Sequence, residues 1–82
     1  MRRRVQVPEG QAWVLLVAGD ENPVAEVITS LHPITEPLEV PAARIAEQAG
    51  MPINELPGRK FAVAKLTEND ADGFRLLNDP RL

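Results

Sequence analysis

Residues 12–18 read Ala-Trp-Val-Leu-Leu-Val-Ala with no polar interruption. A membrane-spanning helix needs about 20 such residues, and this run is short even for a soluble helix. It is rich in strand formers, so it predicts a central strand covered on both faces. Turn chemistry bounds it, with Pro8, Glu9 and Gly10 before and Gly19, Asp20, Asn22 and Pro23 after. Upstream, Arg3, Val5 and Val7 alternate with Arg4 and Gln6, which predicts a partner strand at 3–7 and a first hairpin across 8–11.

The next segment fits two patterns. Val24, Val27, Ile28 and Leu31 have helical spacing, with Asn22 as an N-cap and Pro23 at the first helical position. The β-branched content and the short turn from the preceding strand favour a second strand instead. Pro33 and Pro37 make 33–39 an extended connector, because each lacks a backbone donor and restricts the residue before it. Pro41 then opens a helix over 42–49, with Ile45 and several alanines as its buried stripe and Gly50 as its left-handed stop. One further helical turn is expected at 51–56, a strand at 61–66, an acidic turn at 67–73 and a last strand at 74–77.

The expected fold is a single α+β domain over 1–82, with residues 1–4 and 78–82 frayed. A small, mostly antiparallel sheet of three to four strands carries one helix plus a helical turn, residues 41–56, packed on it. The expected core is Trp13, Leu15, Val17, Ile28, Ile45, Leu56, Phe61, Val63 and Phe74.

Composition removes several function classes. The chain has 82 residues, no Cys and one His, so disulfides, thiolate metal sites, Cys nucleophiles and two-His metal cages are out of reach. The net charge is −3, which weakens a nucleic-acid reading, since that affinity comes mostly from Lys and Arg against phosphate. The basic start followed by the apolar run faintly imitates a signal peptide. However, Gln6, Pro8, Glu9 and Gln11 interrupt it and no small-residue cleavage pattern follows. A cytoplasmic address is the expectation.

Three motifs invite a sharper reading. The first runs from Arg44 to Leu56, with Ala46 at a close-packing position, Gly50 at a turn and Leu56 as an anchor for a second helix. This pattern resembles the helix-turn-helix of bacterial regulators. The resemblance implies a plasmid, phage or transcriptional DNA binder using residues 44–60, with Arg44, Asn54, Arg59 and Lys60 on the nucleic acid. Pro57 and Gly58 cut the second helix short, and Glu55 repels phosphate. The plainer expectation is a helical corner capping a sheet.

The second motif, 68–73, has Glu68, Asp70 and Asp72 on alternate positions before Gly73, like the start of a calcium loop, and Asp79 falls at the twelfth position. The flanks read as strands rather than helices, and Glu68 stands where such loops carry Asp, so an acidic turn is expected. The third motif, Arg2, Arg3 and Arg4, suits an arm for anionic partners or a charged guard on an edge strand; the second is preferred.

Catalysis has little to build on. His32 stands alone before Pro33, and no nucleophile motif or phosphate-cradling glycine loop is present. The expectation is a non-catalytic protein-interaction or accessory module without cofactor or metal, binding another protein or a copy of itself. Its expected surface combines Arg59 and Lys60 with Glu68, Asp70 and Asp72.

Overall fold

A computed structural model describes residues 6–77. Strand β1 spans Gln11–Ala18, β2 Val24–Thr29 and β3 Leu38–Pro41; helix α1 spans Ala42–Ala49; a 3-10 turn covers Ile53–Glu55; β4 spans Lys60–Leu66 and β5 Ala71–Leu76. All five strands form one antiparallel sheet in the order β3-β2-β1-β4-β5, curled into a half-barrel. The α+β class holds, but among the described residues the sheet has five strands, not three to four. The extra strand is β3, which lies within and just beyond the stretch expected to be a connector. Pro37 precedes the strand and Pro41 is its last residue, and neither forbids it, because an edge strand needs donors on one side only.

Helix α1 lies against β5 and also meets β3 and β2. Ala42 and Ile45 are buried beneath it, with Ala46 and Ala49 partly covered. Gly50 ends it at φ 68°, and the Met51 amide returns to the Ala46 carbonyl at 3.0 Å. A left-handed residue at this position is what closes the last turn, and glycine adopts it without strain. The core joins Ala12, Val14, Ala25, Val27, Val40, Ile45, Leu56, Phe61 and Phe74, with Phe61 and Phe74 edge to face at 5.9 Å.

Strand β1 corrects the expected core. Ala12 and Val14 are buried in the cluster, whereas Trp13 and Leu15 are half-buried, and Leu16 and Ala18 are exposed. The run is therefore covered mainly on one face, as an antiparallel sheet allows. Between Val14 and Leu16 the register with β2 shifts by one residue, a β-bulge. The bulge carries Val17 onto the core side opposite Ala25, so no single alternation describes the strand. Ile28 is buried but lies outside the main cluster, across from Trp13, and Val63 only packs against the core's margin.

Other boundaries also move. Residues 24–29 form the strand that was preferred over a helix. The acidic turn is shorter than expected, because β5 begins at Ala71. Of the strand expected at 3–7, Gln6 and Val7 are not in a strand, and residues 3–5 lie outside the described residues. The expected frayed ends at 1–4 and 78–82, and the arginine cluster, lie outside them too. Among the described residues, no helix is long and apolar enough to cross a membrane.

Candidate functional site

Two polar regions stand out, and they use their charges in opposite ways. The first joins α1 to the edge strand β5. Arg44 and Gln48 lie four residues apart and so share one helix face. The Arg44 guanidinium donates to Asp70 at 2.6 Å and to the Ala71 carbonyl at 3.1 Å. The Gln48 amide donates to Asp72 at 2.7 Å. Its oxygen accepts from both the Gly73 and Phe74 amides at 2.9 Å. Gly73 sits at φ 73°, and a left-handed residue here lets two successive N–H groups converge on one acceptor. The Asp72 carboxyl is held below its ordinary range, first by the Gln48 hydrogen bond and then by the Gly73 amide.

These contacts change the meaning of the residues singled out in the sequence. Asp70 and Asp72, expected to face a partner, face the helix. Arg44, the first of the DNA-contact candidates, is paired with Asp70. Arg59 donates through Nε to the Glu55 carbonyl at 3.1 Å, and Lys60 stands 4.2 Å over the Trp13 ring. Asn54 is exposed on a 3-10 turn of only three residues, the full extent of the expected second helix. Arg59 and Lys60 lie at the opposite end of β4 from Glu68, about 20 Å along the strand. The structure therefore does not bring the five expected partner-binding residues onto one surface. In the calcium-like segment Asp79 lies outside the described residues. Among the described ones, no group of three or more His, Asp or Glu is arranged to hold a metal ion.

The second region is centred on His32, which stands alone in the sequence before Pro33. Thr29 and His32 bridge back to each other across Ser30 and Leu31, closing the β2 end. His32 is only 8% exposed. Its Nε2 lies 2.7 Å from the Glu68 carbonyl, which can only accept, so in the neutral ring Nε2 carries the proton. Nδ1 then accepts from the Thr29 hydroxyl at 2.7 Å, and that oxygen accepts from the Leu31 and His32 amides at 3.0 and 3.1 Å. The imidazole thus pins the β2–β3 connector to the β4–β5 turn, 36 positions away.

Between the two pinned segments lies an open cleft of about 570 Å³. Leu31, Pro33 and Pro37 line its connector wall together with Glu36, while Glu39 of β3 and Glu68 of the turn complete it. Among the described residues, no Lys or Arg lines it. Leu31 is 49% exposed, and Ile34, on the same connector, is 57% exposed. The sequence showed the prolines that shape this wall. It did not show that a turn 36 positions away would face it.

Comparison with family models, with curated proteins and with solved structures returns no match for this chain.

Proposed function

We propose that the domain is a non-catalytic interaction or accessory module whose working surface is the cleft between the β2–β3 connector and the β4–β5 turn. The observation that carries this reading is the pair of exposed aliphatic side chains, Leu31 and Ile34, on the connector that walls the cleft. Exposed apolar surface beside a groove marks an interaction site. The state of the other polar groups supports the same reading. Both ring nitrogens of the only histidine hold structural hydrogen bonds, and Asp70 and Asp72 are bound to α1.

The sheet edges direct attention to the cleft as well. On β5, Gln48 and Arg44 occupy main-chain groups at Ala71, Gly73 and Phe74. On β3, the Ala42 amide bonds inward to the Pro23 carbonyl. Strand alternation then turns positions 37, 39 and 41 outward. Pro37 and Pro41 have no N–H, which leaves Glu39 as the single outward donor, so strand addition is blunted.

The alternative, a small helix-turn-helix-like DNA-binding regulator using residues 44–60, has weaker support, because Arg44 is already paired and the second element is one short turn.

The test is affinity capture from the source cells with the intact chain and with Leu31→Ser/Ile34→Ser, read by mass spectrometry. The reading expects a partner retained by the first and lost by the second, with the melting temperature preserved. Equal recovery of the same partners by both baits would reject this surface. Steeply salt-dependent binding to duplex DNA, abolished by Arg59→Ala/Lys60→Ala, would favour the alternative.

A further inference from the structure

The cleft has a chemistry more specific than an apolar surface. We propose that it takes an extended segment of a partner protein in which Arg or Lys side chains alternate with aliphatic ones. This rests on the interaction-module reading and names the partner's chemistry at the same site.

Charge complementarity is the first argument. Glu36, Glu39 and Glu68 reach the cleft from three separate parts of the fold: the connector, β3 and the β4–β5 turn. Among the described residues the one salt bridge is Arg44–Asp70, so none of these three glutamates has an ion-pair partner there. The contrast within a single hairpin is informative. Asp70 and Asp72 are matched by Arg44 and Gln48 on the α1 side, while Glu68, two positions before Asp70, is left on the cleft side. None of the described cations lines the cleft: Arg44 is paired with Asp70, Arg59 and Lys60 are at the far end of β4 with Lys60 stacked on Trp13, Lys65 stands opposite Asp72 in the β4–β5 ladder, and Arg75 stands opposite Ala62. Like charges gathered around a concavity destabilise the chain that carries them unless an opposite charge enters.

The second argument selects a peptide over a metal ion or a small cation. The three carboxylates do not form a group arranged to hold a metal. Leu31 in the cleft's lining, and Ile34 on the same connector outside that lining, add apolar surface that a bare cation would not use, whereas aliphatic side chains between the basic ones would cover it. The wall is also preorganised. Pro33 and Pro37 fix their φ angles, and the Glu36 amide closes a turn onto the Pro33 carbonyl at 2.9 Å. His32 holds connector and turn at a set spacing. A rigid wall spares the partner the cost of ordering it. Because the outward edge of β3 offers a single N–H, side chains rather than a shared strand hold the segment.

The experiment uses the full chain and a fluorescein-labelled octapeptide of alternating Arg and Leu, followed by fluorescence anisotropy at low and moderate salt. The expected result is saturable binding that weakens at least tenfold in Glu36→Gln/Glu39→Gln/Glu68→Gln and at least threefold in Ile34→Ser. A control, Asp20→Asn/Glu21→Gln, neutralises exposed carboxylates at the β1–β2 turn and leaves binding unchanged. Melting curves confirm that each variant is folded. The proposal is overturned if the control weakens binding as much as the triple variant, or if an alternating Lys and Ser peptide binds as tightly and Ile34→Ser has no effect. It is also overturned if a cellular partner is lost on Leu31→Ser/Ile34→Ser yet is indifferent to the three glutamines. That last outcome would leave the module reading standing with a partner of different chemistry.

Discussion

The two faces of the β4–β5 hairpin carry the same kind of side chain and put it to different uses. Toward α1, Asp70 and Asp72 receive an arginine and a glutamine, and Gln48 also takes two main-chain amides of the edge strand. Toward the β2–β3 connector, Glu68 gives its carbonyl to His32, and the residue lines an open cleft together with Glu36 and Glu39. An acidic residue is thus not informative by type. What matters is whether the fold itself supplies the counter-group. Where it does, the charge is architecture; where it does not, the charge is available to something else.

The comparison can be broken most forcefully at Gly73. A Cβ there would stand 2.6 Å from the Ala64 Cβ and 3.2 Å from its amide nitrogen, at a φ that side chains avoid. Gly73→Ala is expected to cost about 3 kcal/mol, combining left-handed strain with overpacking. Gly10→Ala, at a similar φ of 80° with nothing within 4 Å, is expected to cost about 1 kcal/mol. Urea unfolding of both variants checks the difference, and equal losses would mean that the close β4–β5 approach carries no weight. Gln48→Ala comes next, at about 1.5 kcal/mol, because the Gly73 and Phe74 amides lose their shared acceptor. If its unfolding midpoint is unchanged, the α1–β5 contacts are ornament rather than scaffold.

The smallest of these effects is a pH dependence. The Asp72 carboxyl titrates lower folded than unfolded, chiefly through Gln48. Its contribution is therefore full above the ordinary aspartate range and is lost as the pH falls through the lowered value. In Gln48→Ala the stability curve is expected to be shallower as the pH falls through and below the ordinary aspartate range. An acid limb identical in the two proteins would remove Gln48 as the cause.

The legible parts of this fold were those encoded over short range. Pro41 and Gly50 bracket α1, and the β-branched run at 24–29 forms a strand despite its helical spacing. Strand β1 was legible as a strand but not in its facing, because the bulge between Val14 and Leu16 switches the buried set partway along and periodicity carries no mark of it. Strand β3 was hidden by prolines that break a central strand yet suit an edge. The candidate site was the least visible. Arg44 meets Asp70 and Gln48 meets Asp72 across 26 and 24 positions, and His32 meets Glu68 across 36. Nothing in local composition distinguishes the aspartates held by α1 from the glutamates left at the cleft. That sorting is done by the curl of the sheet.

The most direct measurement is the urea unfolding free energy of the triple variant Glu36→Gln/Glu39→Gln/Glu68→Gln beside that of the parent chain. If these carboxylates await an external cation, removing their mutual repulsion leaves the stability unchanged or raises it by up to about 1 kcal/mol. A loss of more than about 1 kcal/mol would mean that the glutamates are part of the domain's own scaffold, and the distinction between the two faces would fail.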